Sequence, residues 1–285
     1  MKFDEMLYGM TTIINTNLST RSASGSGFFY NALAARDPSK TGAQWRNVEG
    51  TWLVTNRHVA LYKINDTEYL PDNFIFNLRQ VINDTVEWLP IILTKDELQK
   101  RLKVHPNKDI DVAVIDVADL IIEKAKTGIP LMNFAGLTSD HLPGNSPLTI
   151  NTGDDILVAG YPRSYYDRAN KFPIVKSGII STKWGANFDG NPYFLIDSKL
   201  FPGSSGSIVL TKPQYVAVID GNLKYNAEGQ YIFLGIYSGE PMRVNRPIEL
   251  EDMTIIKKDS YNEGIVWYSS LVSEIISNGV EVHPV

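Results

Sequence analysis

Short apolar runs, β-branched or aromatic and bounded by Gly, Asn, Ser or Pro, recur along almost the whole chain. Such runs predict strands, because a β-branched side chain packs well on a pleated surface and fits a helix poorly. Strands are predicted at residues 10–14, 25–30, 51–55, 74–78, 111–117 and 155–160. More follow at 174–180, 193–197, 208–210, 215–219 and 231–237. Helical spacing surfaces twice. Residues 95–102 form a short charged segment ahead of Pro106. Residues 266–276 place Trp267, Leu271, Val272, Ile275 and Ile276 on one face, with Gly279 as the stop. Many short strands and so few helices predict an all-β sandwich or barrel.

The stretch 136–147 is rich in Gly, Pro, Ser and Asn and lies near the midpoint, so it is expected to connect two parts, 1–135 and 148–285. A second polar stretch, 35–42, reads as a surface loop. With 285 residues, 43% of them hydrophobic, there is material for two packed halves, each with a core. A net charge of -5 and the lack of any arginine-lysine run argue against a nucleic-acid partner. No apolar run approaches the ~18–20 residues of a membrane-spanning helix, so no membrane partner is expected.

The chain has no cysteine, which rules out disulfides, a thiol nucleophile and cysteine-bound zinc. That favours a reducing compartment or a bacterial-type chain. Asp4 and Glu5 stand where the apolar core of a signal peptide would begin, so a cytoplasmic location is expected.

The chemistry concentrates in three places. Gly203-Ser204-Ser205-Gly206-Ser207 lies between two predicted strands. Upstream are His58, in Thr55-Asn56-Arg57-His58-Val59, and Asp111, in Asp111-Val112-Ala113-Val114-Ile115. A serine hydroxyl is a poor nucleophile alone; it needs a base for its proton and donors for the oxyanion that forms. Histidine, then aspartate, then a glycine-flanked serine supplies those parts in the order of the chymotrypsin-type triad. A serine flanked by glycines is weak evidence by itself, and the ordered set of three is strong. Asp109 and Asp116 compete with Asp111 for the carboxylate role, whereas His105, His141 and His283 sit in no recognisable motif.

These motifs resemble those of trypsin-like serine peptidases of the chymotrypsin fold, and among them the bacterial branch related to the HtrA (Deg) proteases. Gly25-Ser26-Gly27-Phe28-Phe29 is similar to the glycine-rich strand that opens that branch, and Ser177-Gly178-Ile179-Ile180-Ser181 to a strand ahead of its serine. The resemblance, running from about residue 10 to 275, implies two packed six-stranded antiparallel barrels with a terminal helix. The first barrel would carry His58 and Asp111, and the second Ser205. The resemblance selects Asp111 over the runner-up Asp109, because the family carboxylate directly precedes an apolar-Ala-apolar run. It implies Ser205 as nucleophile, His58 as base, and the N–H groups of Gly203 and Ser205 as the oxyanion hole. Lys199, Leu200, Ser238, Gly239 and Glu240 are implied in substrate binding, with Ser238 meeting the substrate backbone.

Two departures from the family matter. Ser204 stands where the zymogen-activated branch has an aspartate that pairs with a cut amino terminus, so ordering by substrate or partner is expected instead. The chain ends soon after its last helix, without the peptide-binding PDZ module of HtrA proteins, which points to a dedicated regulatory target. The expectation is therefore a serine endopeptidase acting on a protein or peptide, with no cofactor and no metal, and with its oligomeric state left open. The alternative is a catalytically silent fold used as a binding module. An ester or thioester hydrolase would show the order Ser-Asp-His and a strand-to-helix nucleophile elbow, which this chain lacks.

Overall fold

In a computed structural model the described residues are 3–282 except 38, 40–44, 84, 129–130, 132–136, 163–164, 245–247, 251–252 and 256–257. Between 243 and 260 only the backbone of the strands is described. The predicted loop at 35–42, Gly136, Lys257 and His283 thus lie partly or wholly outside the described residues.

Antiparallel strands carry the fold, as their composition predicts. Six of them, Asp155–Gly160, Ile174–Ile180, Tyr193–Asp197, Glu263–Tyr268, Phe233–Gly239 and Ile208–Thr211, close into a barrel in that hydrogen-bonded order. The first half differs from the expected six: among the described residues its sheet has eight strands. They are ordered Val280–Glu281, Leu102–Val104, Ala113–Asp116, Val48–Thr55, Arg21–Leu33, Thr11–Leu18, Asn73–Ile82 and Thr85–Thr94. One added strand comes from the far end of the chain, where Val280 pairs with Val104. Another, Thr85–Thr94, carries Pro90, which removes a ladder donor and so hides the strand from sequence reading. It is tolerated because this strand lies at the sheet edge.

The predicted helix over 266–276 splits. Trp267 belongs to the strand Glu263–Tyr268, opposite Tyr193 and Ile236, because barrel closure needs that strand. The helix runs instead over Ser270–Asn278, and its buried residues are Leu271, Val272 and Ile275. It packs back toward the first half, where Lys103 Nζ donates to the Ile276 carbonyl (2.9 Å) and His105 meets Glu274 (3.0 Å). The charged helix Lys95–Arg101 forms as expected, started by a reciprocal cap between Thr94 and Glu97.

Each half has its own core, around Phe74 and Leu53 in the first and Phe194 and Ile196 in the second. A third cluster joins them, with Phe28, Val114, Phe233 and Leu271 packed together. An amino-terminal helix the sequence pattern did not predict, Phe3–Met10, adds Leu7 and Met10 to that shared core. Because this cluster locks the halves together, side chains on either one can meet with fixed geometry. The predicted strand at 215–219 is present as Gln214–Ile219, but it pairs with Asn222–Gln230 outside the barrel. No helix among the described residues is long and apolar enough to cross a membrane.

Candidate active site

His58 sits on a single helical turn, Arg57–Ala60, directly after the strand Val48–Thr55. Arg57 secures that turn from below: it is buried and grips Glu68 with two hydrogen bonds (2.6 and 2.7 Å) while donating to the His105 carbonyl (2.9 Å). Hydrogen bonding to Arg57 holds the Glu68 carboxyl below its ordinary range, with the charge of Arg57 acting in the same direction. Asp111 lies just ahead of the strand Ala113–Asp116 and turns its carboxylate onto the histidine. Its Oδ1 accepts from the His58 backbone N–H (2.9 Å) and its Oδ2 meets His58 Nδ1 (2.6 Å). The Asn56 side-chain amide donates to the Asp111 carbonyl (2.7 Å), fixing the chain there.

Crowding by protein pushes the His58 pKa down; the hydrogen bond and charge of Asp111 push it up by more, so it lies above the ordinary 6.5. Asp109 is exposed and makes no hydrogen bond to His58, and Asp116 is engaged elsewhere. The N–H of Asp109 is bound to Asn107, and the Asp116 carboxylate accepts from the Ala118 N–H.

The serine loop is a chain of tight turns that only glycine permits. Gly203 and Gly206 have φ of +90° and +84°. A Cβ on Gly206 would run into the Ser26 carbonyl and the Thr55 hydroxyl. The Gly206 N–H donates to the Tyr237 carbonyl (2.8 Å), and the Ser204 N–H to Phe201 (3.0 Å). The N–H groups of Gly203 and Ser205 have no hydrogen-bond partner among the described residues. Ser205 Oγ donates to the Ser238 carbonyl (2.8 Å) rather than to His58.

Ser238 therefore does something its sequence did not reveal. Its hydroxyl donates to Asp111 Oδ2 (2.6 Å) while its carbonyl receives Ser205 Oγ, so one residue touches both the carboxylate and the serine. The run Tyr237-Ser238-Gly239 signals a strand, but which way its hydroxyl points depends on register and could not be read from it. Asn56 was likewise overlooked, although it stands two residues before His58.

The remaining predicted residues are more scattered. Lys199 is exposed and Glu240 half-buried. Leu200 packs into the second barrel's core and, with Phe201, Ser204 and Ser207, borders a cavity of about 10 Å³. That volume admits no more than a water molecule. Gly239 stands open, with nothing near the place a Cβ would take.

The profile of the family described as "Trypsin-like peptidase domain" matches residues 25–217. No curated protein matches this chain. Among solved structures, the chain is similar to the Rv3671c protease of M. tuberculosis in its active form, at 16% identity over 98% of this chain and 84% of that one, with a TM-score of 0.43. It is also similar to the protease Anisep of Arthrobacter nicotinovorans, at 15% identity over 94% and 93%, with a TM-score of 0.44. A third similarity is to catalytically inactive tobacco etch virus protease complexed with substrate, at 9% identity over 98% and 90%, with a TM-score of 0.47.

Proposed function

The chain belongs to the trypsin-like peptidase family, and from that premise we propose that it is a serine endopeptidase whose nucleophile is Ser205. One observation carries this reading: Ser238 bonds the Asp111 carboxylate with its hydroxyl and the Ser205 hydroxyl with its carbonyl, while that carboxylate also meets His58, which supports a role for all three side chains.

The reaction begins when a substrate chain lies against Ser238 and Gly239, and its own N–H competes for the Ser238 carbonyl. Released from that acceptor, Ser205 Oγ rotates toward His58 Nε2 and gives up its proton as it attacks the scissile carbonyl carbon. The carbonyl oxygen becomes an oxyanion and takes the open N–H groups of Gly203 and Ser205. His58 then protonates the leaving amine, the C–N bond breaks, and an acyl-serine remains. Water, deprotonated by His58, attacks the acyl carbon; the bond to Oγ breaks, His58 returns the proton to Ser205 Oγ, and the acid product leaves. Asp111 keeps the proton on Nδ1 throughout, so that Nε2 is the basic nitrogen.

A second reading, a catalytically silent binding module, draws on one fact: Ser205 Oγ faces Ser238 and not His58. The two readings part in one experiment. The wild type should cleave denatured protein and be labelled by a fluorophosphonate, while Ser205→Ala should lose roughly 10⁴–10⁶-fold in turnover with its fold intact. A wild type that neither cleaves nor labels is the silent module. A Ser205→Ala variant that cleaves at the wild-type rate assigns the wrong nucleophile.

A further inference from the structure

Ser26 touches the serine loop from the opposite half of the molecule. It lies on the strand Arg21–Leu33 and is almost wholly buried. Its N–H donates to the Ser205 carbonyl (2.8 Å), and its hydroxyl donates to the Gly203 carbonyl (3.3 Å). These are the carbonyls of the two residues whose N–H groups stand open. The same hydroxyl accepts from the Tyr161 N–H (2.8 Å), and the Ser26 carbonyl accepts from Thr55 Oγ1 (2.7 Å).

The surroundings are shaped to admit this contact. A Cβ on Gly25 would press on Val59 at 2.8 Å and on the Ser205 carbonyl at 3.2 Å, so glycine lets the strand come this close. A Cβ on Gly160 would lie 2.6 Å from Ser26 Oγ. Gly203, at φ +90°, has no side chain to limit rotation between the peptide that carries its N–H and the one that carries its carbonyl, so an outside contact has to hold the latter.

On the reading that Ser205 is the nucleophile of a peptidase, we propose that Ser26 is a positioning residue for the oxyanion hole. Its amide and hydroxyl hold the 205–206 and 203–204 peptides, which flank the 202–203 and 204–205 peptides that carry the two open N–H groups, and so restrict how those donors can turn. The hydroxyl bond is long for O–H···O, so it steers the 203–204 peptide without clamping it. Losing it should therefore cost less than the ~10²–10³-fold typical of deleting an oxyanion donor outright.

The test uses the full chain and Ser26→Ala. The expected result is a drop in kcat of about 10–100-fold with KM little changed, and a matching loss of affinity for a peptide aldehyde, whose hemiacetal oxygen needs the same donors. The pH midpoint of the profile should not move, because Ser26 does not touch His58 or Asp111. A folded Ser26→Ala with wild-type kcat, or with its whole loss in KM, overturns the assignment. Should Ser26→Ala prove unfolded, Ser26→Cys replaces it, since a thiol fills the same space and donates weakly. It should lose several-fold in kcat, and parity with the wild type overturns the assignment. Failure of the peptidase reading looks different: the wild type itself neither cleaves peptide nor reacts with a fluorophosphonate, and both proposals fall together.

Discussion

The two sides of the candidate cleft are held in opposite ways. Around Asp111 the acceptors are all taken: Oδ1 takes the His58 N–H, Oδ2 takes His58 Nδ1 and Ser238 Oγ, and the carbonyl takes Asn56. Across the cleft, the Gly203 and Ser205 N–H groups stand open among the described residues, and the Ser205 hydroxyl rests on a carbonyl. A linked network of this kind favours one geometry, because each member opposes the movement of the next. Open donors are stored capacity for a negative charge that has yet to form. The base side is prebuilt, and the nucleophile side is completed by whatever enters.

The largest test of that contrast attacks the prebuilt side with Asp111→Asn. The new side chain must still accept from the His58 N–H, which fixes its oxygen at the Oδ1 position. Its NH₂ then faces His58 Nδ1, where the carboxylate had accepted a proton. Nδ1 is forced to accept and Nε2 to carry the hydrogen, so the ring cannot take a proton from Ser205. Steady-state hydrolysis of a peptide should fall ~10³–10⁴-fold while Tm changes little. A loss under tenfold would mean that Asp111 does not set the tautomer.

A smaller loss is expected on the open side, where backbone shape matters more than charge. Gly206→Ala forces a side chain into the left-handed region and against the Ser26 carbonyl. The backbone conformation alone costs ~1–2 kcal/mol, and with the clash the stability should fall by about 2–4 kcal/mol in urea titration. Gly239→Ala is the matched control, since nothing lies within 4 Å of its Cβ and its φ is not positive, and it should cost less than ~0.5 kcal/mol. Equal losses at both positions would show that the serine loop is no tighter than the strand beside it.

The same division decides what the sequence made legible. Strands with alternating or continuous apolar character were readable to the residue, as at Asp155–Gly160 and Ile174–Ile180, because burial imposes a period on them. Glu263–Tyr268 was misread, since Trp267 fits a helical stripe with Leu271 and only barrel closure makes it a strand. Asn222–Gln230 carries few apolar residues, and its Leu223 and Tyr225 are exposed, so burial imposes no hydrophobic pattern there. At the site, His58, Asp111 and the glycines of the serine loop have motif signatures because local geometry demands those residue types. Ser26 lies in a glycine-rich motif and Ser238 in a strand-like run, but their contacts reach across 177 and 127 residues, and only register brings those into place. Leu200, expected at a substrate pocket, packs into the core and also borders the small cavity beside Phe201 and Ser204.

The finest distinction between the two sides is a shift in pH dependence. Although half of the His58 side-chain surface is open (50%), the ring is crowded enough that burial lowers its pKa, and Asp111 more than reverses this. The base must be neutral to act, so kcat/KM should rise with pH along a limb centred above 6.5. Stability runs the other way. A histidine whose folded pKa is raised contributes its full stabilisation below the ordinary value and loses it as pH climbs through the folded one. Activity should therefore rise over the interval in which this contribution to Tm fades. In Asp111→Asn the burial effect is left without its opponent, so the midpoint of the remaining activity should drop below that of the wild type. NMR titration of the His58 ring protons reads both midpoints directly. A wild-type midpoint under 6.5, or one that Asp111→Asn leaves in place, would mean that the carboxylate and the ring are uncoupled in solution, and that the base side is no more prebuilt than the serine loop opposite.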